Sequence, residues 1–157
     1  MSRIVLTRIL APTDFSDTST IALRYAVTLA EAFHAQLHLL HVVERSIEQQ
    51  WAGELAAVAA LDVESEARAK SDAELATLLT RDERARLEAR LVSRTGTPFV
   101  EIVRYAQHEE IDLIVMGTHG RGAIAHLLIG SVAENVVRKA RCPVLTVPRA
   151  GHDFIKP

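Results

Sequence analysis

Apolar residues fall along this chain in short runs that alternate with stretches of helical spacing. Ile4 to Leu10 is a short apolar run closed by Ala11-Pro12-Thr13-Asp14, and it reads as a buried strand ending in a turn. From Ser19 the apolar positions Ile21, Ala22, Tyr25, Ala26, Leu29, Ala32 and Phe33 recur at the spacing of one helix face. Gln36 to Val43, rich in Leu and Val, is a second strand, and a variable stretch follows to about residue 60. Glu64 to Leu87 is built of strong helix formers and predicts one long helix. Ala89 to Ser93 is a weaker third strand. Thr97-Pro98 then opens a helix, with Thr as N-cap and Pro at the first helical position, where its missing N–H costs nothing. Ile111 to Met116 is nearly all apolar, as expected of a strand covered on both faces. Ser131 starts the last helix and Pro143 to Val147 is the last strand.

Strands alternating with helices predict parallel pairing through right-handed crossovers. The expected fold is a single three-layer α/β domain over residues 1–157, with a five-stranded, mostly parallel sheet and helices on both faces. A variable insertion occupies about residues 45–70. The pattern leaves the strand order open.

Composition narrows the function classes. At 157 residues the chain is long enough to bury a core, and 48% apolar with 24% charged residues argues against long disorder. The formal charge is −2 with Lys and Arg scattered, so nucleic acid is not an expected partner. Residues 1–10 carry two arginines and no long apolar core, so no secretory signal is read there. No stretch reaches the roughly 18 consecutive apolar residues of a membrane span, and no membrane partner is expected. The single cysteine, Cys142, has no internal disulfide partner, which suits a reducing cytoplasm; it reads as a small buried thiol beside Pro143.

The candidate chemistry lies in Met116-Gly117-Thr118-His119-Gly120-Arg121-Gly122, continuing to Gly130-Ser131-Val132. Glycines directly after a buried strand let backbone approach a ligand without a Cβ in the way. Gly130-Ser131 sits at a helix start, where unpaired N–H groups and the dipole favour an anion. Ser131 and Glu134 have capping-box spacing. A glycine turn and a helix N-terminus joined by this arm can wrap a polyphosphate from two sides. Glycine is also the default turn residue, so spacing alone leaves turn-making and phosphate binding both open. Neither GxxxxGK[ST] nor GxGxxG is spelled here.

Gly117-x2-Gly120-x9-Gly130-Ser131 resembles the signature of the ATP-binding branch of the universal stress protein family. Ile9-Leu10-Ala11-Pro12-Thr13-Asp14-Phe15-Ser16 is similar to that family's first strand and turn, and Leu39-Leu40-His41-Val42-Val43 to its second strand. Gly96-Thr97-Pro98 resembles the turn before its third helix, and Cys142-Pro143-Val144-Leu145-Thr146-Val147 its last strand. The resemblance runs from about residue 3 to 149. It implies a Rossmann-like sheet of the adenine nucleotide alpha hydrolase type, with the first and fourth strands adjacent at a reversal of strand order. Open α/β sheets bind ligands at such a point.

The resemblance further implies ATP or AMP as ligand, with Mg²⁺ or Mn²⁺ beside the phosphates left open. Asp14 would meet the nucleoside through a ribose hydroxyl; as a bare residue it reads as a helix cap. Pro12 and Thr13 would line the same edge, Val42 would border adenine, and Met116 would close the floor. Gly117, Gly120, Gly130, Ser131 and Val132 would offer N–H groups to phosphates. His119 and Arg121 belong to the same arm, Arg121 reading equally as a phosphate partner or a solvated charge. A homodimer through residues 143–148 is implied, and a cytoplasmic regulatory or stress-response role.

His38 and His41, three apart on a strand, face opposite sides and do not chelate one ion. His34, His108, His126 and His152 show no ligand spacing and read as surface or packing residues. The competing function is an ATP-using enzyme with slow hydrolysis, although no nucleophile–base pair is evident. A nucleotide-free scaffold, as in family branches lacking the glycine signature, is a third reading.

Overall fold

The computed structural model describes residues 4–44, 54–118 and 129–149, with side chains of 54–60 excepted. Five strands, β1 (Arg8–Thr13), β2 (Gln36–Val43), β3 (Arg90–Thr95), β4 (Leu113–Gly117) and β5 (Val144–Val147), form one all-parallel sheet in the order β3-β2-β1-β4-β5. Helices α1 (Asp17–Phe33) and α2 (Glu54–Leu78) cover one face, while α4 (Pro98–His108) and α5 (Ser131–Lys139) cover the other; a short α3 (Arg81–Arg86) leads into β3. The expected single α/β domain is present, and the sheet is parallel throughout. Among the described residues, no helix is long and apolar enough to cross a membrane.

Alternation along the strands sorts the core into two layers. Ile9, Ala11, Leu37, Leu39 and Val115 face α1 and α2. Leu10, Leu40, Val42, Ile114 and Met116 face α4 and α5. Helix α1 buries Ala22, Leu23, Ala26, Val27 and Ala30, whereas Tyr25 and Phe33 are 52% and 43% exposed. The buried stripe is therefore turned from the one the larger residues suggest. Alanines at i, i+4 and i+8 let the helix lie close to the sheet, and the bulky residues move to its flank.

Several boundaries differ from expectation for physical reasons. β1 is not Ile4 to Leu10: it runs on through Pro12 to Thr13. The carbonyl of Arg8 accepts from Asp112 N–H beside β4, so Leu10 and Pro12 also direct their backbone groups to that side. Pairing of β1 with β4 ends at Leu10 and Ile114, so the N–H that Pro12 lacks is missing where no ladder bond is made. The predicted helix from Glu64 to Leu87 is two helices. Thr80 stops the first and caps the second through a capping box with Glu83, which Thr80-x-x-Glu83 encodes. The box expected at Ser131 and Glu134 does not form. Glu134 N–H donates to Gly130 O, which makes Gly130 the cap and Ser131 the first helical residue, and the Glu134 carboxylate pairs with Arg138. Thr97 does cap α4, with Pro98 behind it, but without a side-chain bond. Cys142 is half-buried rather than fully so, and burial pushes its thiol pKa up.

Candidate functional site

At the amino ends of the strands β1 and β4 are clamped. Asp112 accepts from Thr7 N–H (2.7 Å), the Thr7 hydroxyl (2.8 Å) and Arg8 N–H (3.0 Å). Burial alone would raise the Asp112 pKa, but these donors outweigh it and hold the carboxyl below its ordinary value. At the carboxyl ends the two strands part. β1 pairs with β2 as far as Thr13 and His41, but with β4 only as far as Leu10 and Ile114. Residues 11–13 and 115–117 thus run on beyond the last pair and leave an opening where strand order reverses.

The turn from β1 into α1 forms one wall. Thr13 Oγ1 lies 3.1 Å from Ser19 Oγ and accepts from Phe15 N–H at 3.0 Å. The Asp14 carboxylate accepts from Ser16 N–H (3.1 Å) and the Ser16 hydroxyl (2.6 Å). Ser16, not Asp14, is the N-cap, its hydroxyl accepting from Ser19 N–H at 3.2 Å; Asp14 holds the cap in place. Phe15 stands at φ 64°, a left-handed conformation that costs a bulky residue roughly 1–3 kcal/mol and needs surrounding support.

The opposite wall is the end of β4 and the start of α5. Thr118 N–H donates to Val147 O (2.9 Å), and Gly130 N–H donates to Thr118 O (2.6 Å), so the returning chain is pinned to the end of β4. Among the described residues no side chain caps α5, and the N–H groups of Ser131, Val132 and Ala133 have no partner within the helix. Ser131 and Val132 line a cleft of about 490 Å³ together with Asn135, Glu44 and the turn from Gly96 to Phe99, so the first turns of α4 and α5 border one space.

The expected site residues divide by sheet face. Pro12, Val42 and Met116 all lie at strand ends and, by alternation, on the α4–α5 side; Val42 and Met116 share the core cluster beneath the cleft. Gly130, Ser131 and Val132 begin α5 above them. Thr13 and Gly117 turn toward α1 instead. A Cβ on Gly117 would lie 2.8 Å from Thr18 Cγ2 and 3.2 Å from Thr18 backbone, so this glycine admits the first turn of α1. His119, Gly120 and Arg121 lie outside the described residues.

The sequence does not single out Ser16, Thr118 or Asn135, nor His41 for more than packing. Ser16 carries a cap signal three residues before Ser19; Thr118 acts through bonds to Val147 and Gly130 that no local pattern encodes, and Asn135 reaches the cleft only through the packing of α5 beside α4.

Residues 6–148 match the universal stress protein family. The universal stress protein MJ0577 of Methanocaldococcus jannaschii is 34% identical over 160 residues, covering 93% of this chain and 97% of that protein. The solved universal stress protein UspA of Lactobacillus plantarum superposes with a TM-score of 0.73 at 30% identity, covering 92% of this chain and 99% of that one. A universal stress protein solved in complex with cAMP has the same fold, with a TM-score of 0.62, 23% identity and coverage of 92% and 98%. The α/β domain is thus the shared architecture. This chain belongs to the universal stress protein family.

Proposed function

We propose that this chain binds an adenine nucleotide, ATP or AMP, at the opening between β1 and β4, and acts as a regulatory binding module of the cytoplasm. The observation that carries this reading is the pinned start of α5. Gly130 is fixed to the end of β4 through Thr118 O, leaving the first-turn N–H groups without intrahelical partners beside the cleft. Such a terminus suits phosphate oxygens. Pro12, Val42 and Met116 offer apolar surface for a base at the adjoining strand ends, and Asp14 offers a carboxylate for a ribose hydroxyl. The cAMP complex of the relative described above supports the same ligand class for this fold. The arm from Gly117 to Val132, with His119, Gly120 and Arg121, would complete the phosphate cradle; whether Mg²⁺ or Mn²⁺ accompanies the phosphates is left open. A homodimer through β5 belongs to the same proposal, since β5 is an edge of the sheet.

Mass spectrometry of small molecules released from protein purified without added ligand tests the class of nucleotide. For the site itself, Gly130→Val is the informative change. Gly130 has φ −70° and ψ 156°, which any residue adopts, so the substitution adds no backbone strain, and a branched side chain would stand where phosphate approaches. ATP affinity measured by calorimetry should fall at least about tenfold, the loss of roughly one good hydrogen bond to a charged group. Unchanged affinity in a folded Gly130→Val protein refutes the phosphate assignment. Phosphate release in the usual enzyme range of about 1–10³ per second would favour the ATP-using enzyme instead.

A further inference from the structure

His41 sits directly beneath the turn that carries Asp14. Its Nδ1 lies 2.8 Å from the carbonyl oxygen of Thr13, the residue it pairs with in register across β1 and β2. A carbonyl oxygen only accepts, so Nδ1 carries the proton and the ring is held in one orientation. The same ring lies against Phe15, centroid to centroid 4.4 Å with the planes tilted by 37°. Phe15 is the residue in the left-handed conformation, at φ 64°. One side chain therefore grips both neighbours of Asp14, by a hydrogen bond before it and a ring contact after it.

We infer that His41 is a positioning residue for the nucleotide site, holding the turn from Thr13 to Phe15 so that the Asp14 carboxylate faces the opening. This rests on the adenine-nucleotide reading above. A bulky residue keeps a left-handed backbone only where its surroundings over-determine it. The supports here include packing of Phe15 against the core beneath α1, the His41 ring, the Phe15 N–H to Thr13 Oγ1, and the Asp14 carboxylate bonded to Ser16. The last two are local to the turn. His41 ties it to the neighbouring strand, whose position the sheet fixes. Removal of the ring takes away the bond to Thr13 O and the contact with Phe15, and so loosens the turn that carries Asp14.

The test uses His41→Asn and His41→Leu in the full chain. Asn places its side-chain N–H close to where Nδ1 stands and keeps the bond to Thr13 O, with less contact to Phe15. Leu keeps apolar contact with Phe15 and has no donor. Positioning through the hydrogen bond predicts that His41→Leu weakens ATP or AMP binding about tenfold in calorimetry while His41→Asn stays nearer the wild type. A packing role predicts the reverse order. Because His41 acts through Asp14, Asp14→Ala combined with His41→Leu should lose no more affinity than Asp14→Ala alone. Amide hydrogen exchange of Phe15 and Ser16 in nucleotide-free protein provides a readout that needs no ligand, and it should be fastest in His41→Leu. Leu outperforming Asn in affinity and exchange, or fully additive losses with Asp14→Ala, overturns the assignment. Wild-type protein that binds no adenine nucleotide overturns the functional reading itself, and the exchange order then shows whether the brace exists independently of it.

Discussion

Thr18 decides what can stand at position 117. The alanine stripe of α1 draws that helix down onto the sheet, and its first turn meets the end of β4 at Gly117. Gly117→Ala would drive a methyl into Thr18 Cγ2 and the adjoining backbone, an overpacking that costs about 1–3 kcal/mol. Urea unfolding should show that loss, and Thr18→Ser in the same chain should recover part of it by removing Cγ2. His38 sets a different residue-scale constraint. It is 1% exposed, with Nδ1 at 2.8 Å from the Tyr105 hydroxyl and Nε2 at 3.0 Å from Gln36 Oε1. An amide oxygen accepts, so Nε2 carries the proton and Nδ1 takes the Tyr105 hydroxyl proton. Burial lowers the His38 pKa, Arg90 and Arg8 lower it further, and Glu109 opposes them; burial also pushes Tyr105 up to about 12. The unfolded chain then binds a proton at this residue more readily than the folded one as pH falls below the ordinary value of 6.5. Stability linked to His38 is complete above that pH and is lost as pH falls through 6.5 toward the lowered folded value. The difference between wild type and His38→Gln in unfolding free energy, followed from pH 7.5 to 5 (about the range of histidine titration), should shrink on the acid side.

Elements end here where a particular side chain ends them. The α2–α3 break depends on Thr80, whose hydroxyl accepts from Glu83 N–H while the Glu83 carboxylate accepts from Thr80 N–H. Thr80→Ala should cost about 1 kcal/mol, measurable by thermal unfolding. Glu83 also pairs with Arg24 at 2.8 Å, so the same turn is tied to α1. That break is spelled in the sequence as Thr-x-x-Glu, yet the helix formers on both sides hide it. The strands were legible for the opposite reason: Gln36–Val43 and the apolar core of β4 carry short apolar runs of the kind a buried parallel strand uses. β1 is shifted because Pro12 looks like a strand stop, and only the missing β4 partner beside it makes the strand continue. At α5 the spacing of Ser131 and Glu134 suggests a cap that the bond from Glu134 N–H to Gly130 O moves back by one residue. For the site, Pro12, Val42, Met116 and Ser131 come to one end of the sheet because every strand runs the same way. The contact of His41 with Thr13 was not legible, since it depends on the register between two strands.

The whole molecule is held shut at one end of its sheet and open at the other, with Asp112 clamping β1 to β4 below and the strands parting above. Of the two sheet edges, β3 and β5, the second is formed by the last strand. Pro143 O accepts from Ile114 N–H at 3.0 Å and Val147 O accepts from Thr118 N–H at 2.9 Å, so residues 143, 145 and 147 direct their backbone groups inward to β4. Val144 and Thr146 direct theirs outward. Leu145 is 38% exposed on the sheet face that α1 shares, and no charge interrupts residues 142–148. Edges of this kind are ordinarily blunted by charge or covered. The proposed pairing with the same strand of a second copy about a two-fold axis would cover the outward backbone groups and would close the assembly at two. The two proline substitutions then separate. Thr146→Pro removes an outward N–H, so the protein should run as a monomer in light scattering with its melting temperature at low concentration nearly unchanged. Val147→Pro removes an inward N–H facing β4, so it should lower the melting temperature at every concentration. Wild-type protein that scatters as a monomer at high concentration ends the dimer. A Thr146→Pro protein that stays dimeric removes β5 from the interface, because the proline then occupies the only outward N–H at that end of the strand.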